Sequence, residues 1–151
     1  RIRSFHENCR DAGKTPGTRT IYVREIAASP QDINDLQLTE GDRVVECLRL
    51  RTADGEPVIL ENNHFSLAYS YLESTDMNGS LYRLLQDYGI RAENTTYEIS
   101  QKQAEGDEAE LLKAEEGSLL LRVRQVVYDQ RGRPLHNSLQ LIRGDRFTLK
   151  I

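Results

Sequence analysis

Residues 47–65, CLRLRTADGEPVILENNHF, decide how the chain is read. Leu48 and Leu50 alternate with Arg49 and Arg51, so the aliphatic pair points to one face of a strand and the guanidinium pair to the other. Asp54-Gly55 supplies turn residues, and the segment that follows reads as a return strand. A turn of three residues, 54–56, sets Arg49 opposite Glu61, whereas a two-residue turn sends Glu61 to the other face. Two guanidiniums at period-2 spacing can clamp one carboxylate or phosphate, because each carries a planar fork of permanently charged donors. The alternative is that both arginines are solvated on an exposed sheet face, and local pattern alone favours it. Similarly, an Arg49–Glu61 pairing is either part of a ligand site or an ordinary cross-strand ion pair.

Working outward, Ser4-Phe5-His6-Glu7 has the spacing of a capping box opening a helix that Gly13 and Pro16 close. A strand is predicted over 20–27, then a short helix begun by Ser29-Pro30 that buries Ile33, Leu36 and Leu38. Residues 66–79 are polar and irregular and read as a surface loop, with Tyr69, Tyr71 and Leu72 as anchors. Leu81, Leu84, Leu85 and Tyr88 form an amphipathic stripe with Ser80 as N-cap and Gly89 as terminator. A strand over 95–103, a short helix over 107–113, a hairpin of 119–129 and 134–142 about Arg131-Gly132, and a last strand over 147–151 complete the order.

That order repeats. Laying Gly41 on Gly117 aligns Val23 with Ile99, Leu36 with Leu112, Leu38 with Ala114 and Val45 with Leu121. Two pseudo-repeated halves around one central helix predict an α+β fold, with a central antiparallel sheet flanked by helices.

Composition narrows the function. The 151 residues carry 20 Lys and Arg against 24 Asp and Glu, a formal charge of −4, which argues against nucleic-acid binding by this chain itself. No stretch is long enough to span a bilayer and no signal peptide opens the sequence, so no membrane association and a cytoplasmic location are expected. The chain opens on Arg1 rather than Met and is read as a piece of a longer protein. Two cysteines make no disulfide framework, Cys47 being expected as a free, buried thiol, and His6, His64 and His136 are scattered, so no metal site is predicted. No serine–histidine–acid spacing, glycine-rich phosphate loop, HExxH or CxxC element supports catalysis. Arg143-Gly144-Asp145 reads as a strand-ending turn, and the Glu-rich run over 105–116 as a solvated helix face. Ser80 adds a helix start, where free N–H groups attract anions, though capping alone also explains it. Tyr82 lies off the apolar stripe.

The succession SFHENCRDAG (4–13), LRLRTADGEPV (48–58), GSLYRLLQDYGI (79–90), EGSLLLRVRQVVYDQRGRPL (116–135) and RGDRF (143–147) resembles the effector-binding UTRA domain of GntR-type bacterial transcription regulators of the HutC subfamily. The resemblance runs over nearly the whole chain, in order. It implies a chorismate-lyase-like fold in one domain over 1–151, a homodimer, no enzymatic activity, no cofactor, and DNA contact only through a separate N-terminal winged helix-turn-helix. It further implies that Arg49, Arg51 and Ser80 surround the phosphate of a sugar-phosphate effector, with Phe5, His6, Glu61 and Tyr82 towards the sugar. Where amino-sugar-phosphate sensors carry an acidic residue and an aromatic, this chain has His136 and Ile142, so the phosphate end looks retained and the remainder altered. A carboxylate or amino-acid-like effector, a chorismate-lyase-like enzyme and a module that only dimerises are the alternatives.

Overall fold

In the computed structural model, residues 3–69 and 81–151 are described, positions 81 and 82 by backbone alone. The elements in chain order are α1 (Phe5–Asp11), β1 (Pro16–Ala27), α2 (Pro30–Leu36), β2 (Arg43–Ala53), β3 (Glu56–Ser66), α3 (Leu81–Asp87), β4 (Ala92–Gln103), α4 (Gly106–Leu111), β5 (Leu119–Asp129) and β6 (Pro134–Ile142). The strands form one antiparallel sheet in the order β1-β2-β3-β6-β5-β4. Each half of the chain thus supplies three adjacent strands, and the halves meet where β3 pairs β6. The predicted α+β architecture with two repeated halves is what the chain adopts.

Local chemistry explains the boundaries. Ser4 accepts the Glu7 backbone N–H at 3.2 Å and opens α1, while Gly13 at φ 70° lets Lys14 N–H reach back to Cys9 O at 2.8 Å. Pro16 belongs to β1 rather than to the helix end, an allowed place for proline because it is the first residue of an edge strand. The expected final strand over 147–151 is not one; Phe147 and Leu149 pack into the core beside Phe5, and Lys150 N–H is held by Asn8 Oδ1 at 3.0 Å. Arg143 does end its strand in a turn, and its guanidinium caps the C-terminal carbonyls of α4, 2.8 Å from Lys113 O.

The β2–β3 hairpin turns on two residues, not three. Asp54 and Gly55 both have positive φ (52° and 81°), the requirement of the tight hairpin turn, and Ala53 pairs Glu56. Two-residue geometry would put Glu61 on the wrong face. A bulge prevents this: Arg51 pairs Ile59 while Thr52 pairs Pro57, so Val58 is an extra residue and the register returns with Arg49 opposite Glu61.

One sheet face holds two apolar clusters. Val45, Cys47, Phe65 and Val127 pack with Leu85 of α3 at one end, and Ile59, Val123 and Ile142 pack with Cys9 of α1 and Phe147 at the other. Cys9 and Cys47 are both free and buried. Tyr88, expected on the inner stripe of α3, is 57% exposed, because Gly89 ends the helix before that position faces the sheet. On the opposite face, α4 covers Leu50, Leu60, Leu120 and Leu141 through Ala109 and Leu112.

The helix α2 corrects a second expectation. Its innermost residues are Asp32, 2% exposed, Asp35 and Leu36, while Ile33 and Leu38 are only half-buried. Buried carboxylates need partners. Asp32 caps the Ser29 N–H at 3.0 Å and meets His64 Nδ1 at 2.9 Å and Asn137 Nδ2 at 2.9 Å; Asp35 takes Arg124 Nη1 at 2.8 Å.

Candidate functional site

Between the two apolar clusters lies a polar band, on the same face. It is built by strand alternation: Arg49 and Arg51 on β2, Glu61 and Asn63 on β3, His136, Ser138 and Gln140 on β6, and Gln125 on β5. Polar side chains facing inward on central strands carry a desolvation cost that an apolar sheet face avoids, so their presence marks a place where something other than packing is served. A cleft lined by these residues opens past Ser4, Phe5 and His6 of the α1 end and Tyr97 of β4.

The arginines are not solvated. Arg49 is 1% exposed and Arg51 4%. Arg49 approaches Glu61 Oε1 through Nε at 3.0 Å and Nη2 at 2.6 Å, Arg51 Nη1 donates to Glu61 Oε2 at 3.0 Å, and Asn63 Nδ2 donates to Oε1 at 2.6 Å. Thr18 of β1 fixes Arg51 Nε at 2.9 Å, and the Phe5 ring lies 4.3 Å from its guanidinium carbon, an arrangement that favours a planar cation. Burial on its own raises the pKa of Glu61, but the charges of Arg49 and Arg51 outweigh it and hold the carboxyl well below the usual range. The trio therefore carries one net positive charge inside a protected cleft.

Both cleft histidines are pushed towards the neutral form. Burial pushes His136 down to about 4, and its Nδ1–H donates to Asn137 O at 3.1 Å, which leaves Nε2 as the acceptor side of the ring. His6 is lowered by burial and then by the charges of Arg51, Arg10, Arg49 and Arg83. The influence of Arg83 brings the positive charge of α3 towards the same region. No cluster of metal-ligating side chains occurs among the described residues.

Six of the residues singled out from sequence, Phe5, His6, Arg49, Arg51, Glu61 and His136, line this one cleft. Ser80 lies outside the described residues, and the Tyr82 side chain does too, although its backbone is in α3. Sequence reading missed Asn63, Gln125, Ser138 and Gln140. The available signal was polarity at period 2 from Glu61 and from His136 on central strands.

Similarity to known proteins agrees with this fold. The chain is 27% identical over 150 residues to the HTH-type transcriptional repressor NagR of Bacillus subtilis (strain 168), a match covering 97% of this chain and 61% of that protein. It is 27% identical over 142 residues to a probable fructoselysine utilization operon transcriptional repressor of Shigella flexneri, covering 92% of this chain and 58% of the relative. The chain thus spans less than two thirds of these curated relatives. Among solved structures, the effector domain of PhnF from Mycobacterium smegmatis superposes with a TM-score of 0.89 at 26% identity, over 97% of this chain and 92% of that one. The family profile described as UTRA domain matches residues 11–148, nearly the entire sequence, and the chain belongs to the UTRA domain family.

Proposed function

We propose that this chain is the effector-sensing part of a transcription regulator and that its cleft binds a small anionic metabolite, a phosphorylated sugar or sugar derivative. The observation that carries the reading is the pair of buried guanidiniums, Arg49 and Arg51, held side by side in the polar band of the sheet face, where among the described residues Glu61 is the carboxylate that bridges them. Two desolvated arginines with their planar forks side by side concentrate positive charge at the cleft, and guanidinium geometry suits phosphate oxygens. Ser80 would add a hydroxyl and the amide-rich start of α3; Phe5, His6, Glu61, Tyr82 and His136 would contact the rest of the molecule. The named relatives support the class, one being described as a probable fructoselysine utilization operon transcriptional repressor.

The rest of the proposal concerns the whole protein. A single UTRA domain over 1–151 would follow a separate winged helix-turn-helix that contacts DNA, in a homodimer. The domain would bind rather than catalyse. Effector binding then alters operator affinity only if it favours one arrangement of the DNA-binding pair over another, and the coupling is reciprocal. Thermal melting and calorimetry of the 151-residue chain against hexose 6-phosphates, the unphosphorylated hexoses and simple organic acids test it. Phosphorylated members should raise the melting temperature with concentration, by about 2.7 kcal/mol of stability at a hundredfold excess over Kd. A response to organic acids alone would establish a carboxylate effector instead, and silence across the panel would reject a sensor of this kind.

A further inference from the structure

Ser138 sits at the centre of the sheet, on β6, where it pairs Asn63 of β3 and Gln125 of β5. It is 3% exposed, it lines the cleft, and its Oγ has no hydrogen-bond partner among the described residues. Folding gains nothing from such a hydroxyl, since a buried polar group left unmade costs stability and alanine would fill the same space without that cost. Around it are neutral groups that both donate and accept. Gln140 Nε2 donates to Gln125 Oε1 at 2.6 Å, and Gln125 Nε2 reaches Thr95 Oγ1 at 3.3 Å, so the two amides are fixed in orientation before any ligand arrives.

We propose that Ser138, with Gln140 and Gln125 beside it, is a subsite that reads an uncharged, hydroxyl-bearing part of the effector while Arg49 and Arg51 hold its anionic end. The inference rests on the function proposed above and names the chemistry of the second half of the ligand. Amides and a hydroxyl match a polyol, each group able to give and to take a hydrogen bond. They offer no charge to a second ionic group. The β2 and β6 backbones are two strand spacings apart, about 10 Å, and the arginines lean across onto β3, so the anion and the recognised hydroxyl lie within roughly 5–10 Å of each other. That separation suits one sugar ring carrying one phosphate. A site built to hydrogen-bond a hydroxyl also rejects analogues that lack it, because its own polar groups would then be left unpaired.

The test is calorimetry on the 151-residue chain with hexose 6-phosphates and inorganic phosphate as probes, for the wild type, Ser138→Ala and Arg49→Ala. Ser138→Ala should raise the Kd of the hexose phosphate about five- to tenfold and leave that of inorganic phosphate within about twofold, whereas Arg49→Ala should weaken both. The melting temperature of ligand-free Ser138→Ala should equal or exceed that of wild type. Unchanged affinity for the hexose phosphate, equal weakening of both probes, or a lower ligand-free melting temperature would each overturn the assignment. Absence of hexose-phosphate binding by the wild type would instead remove the underlying reading, and the subsite with it.

Discussion

Arg49 and Glu61 face each other across β2 and β3, Nη2 2.6 Å from Oε1, with both side chains withdrawn from solvent. Removing the carboxylate leaves two buried guanidiniums with their shared counter-ion gone, the costly half of a buried ion pair. Glu61→Gln should therefore lose about 3–5 kcal/mol of stability in urea unfolding. Millimolar inorganic phosphate should restore more of that loss than it adds to the wild type. The sign with pH follows from the lowered carboxyl pKa: the contribution is present above the unfolded value, about 4.3, and is lost as pH falls towards the folded one. Wild type and Glu61→Gln should thus converge in stability under acid conditions.

Arg49→Ala should raise the Kd for a phosphorylated effector at least tenfold, since a charge-assisted contact is worth about 1.5–3 kcal/mol. Arg49→Lys should recover only a fraction of this, because an ammonium cannot reproduce the forked contact that Nε and Nη2 make with Glu61. Titration calorimetry of both variants, with circular dichroism confirming the fold, decides the point. Wild-type affinity in the alanine variant would dismiss Arg49 from the site.

On the far face, His64 bridges two carboxylates, Nδ1 2.9 Å from Asp32 Oδ1 and Nε2 3.0 Å from Glu46 Oε2. Burial alone lowers its pKa, but the hydrogen bonds and charges of Asp32 and Glu46 raise it above 6.5. A raised folded pKa gives stability that is complete below the unfolded value and is lost as pH climbs through the folded one. The melting temperature should fall on the alkaline side of about 6.5, and His64→Gln should flatten that decline. An identical alkaline slope in the variant would show that the imidazolium contributes nothing.

Leu85 is the fully buried anchor of α3, packed among Val45, Cys47, Phe65 and Val127. Leu85→Ala should cost about 2–5 kcal/mol, measured by denaturant unfolding. Loosening α3 should also weaken effector affinity, through Arg83 and the start of the helix, without touching Arg49 or Arg51. Loss of stability with full affinity would show that α3 packs but does not recognise.

Much of this was legible from the residues, for identifiable reasons. The hairpin 119–129 and 134–142 was readable to the residue because two runs rich in aliphatic and β-branched residues flank the turn residues Arg131-Gly132. The facing of Arg49 and Glu61 was readable only as one of two options, since the Val58 bulge that decides it is set by how β3 packs and not by local sequence. The inner side of α2 was read as Ile33, Leu36 and Leu38; only the opposing His64, Asn137 and Arg124, distant in sequence, make the burial of Asp32 and Asp35 tolerable. Ser138 and Gln140 carried a weak signal, polarity in a central strand, which stands out once β6 is known to lie at the middle of the sheet.

The seam between β3 and β6 has an evolutionary consequence. The cation-bearing side of the cleft comes from the first repeat and the neutral side from the second, so the cleft is split between the two repeated halves. Under the function proposed above, substitutions on strands five and six would retune which metabolite is accepted without disturbing the charge clamp on strand two, a division of labour through which one scaffold would diversify its signals.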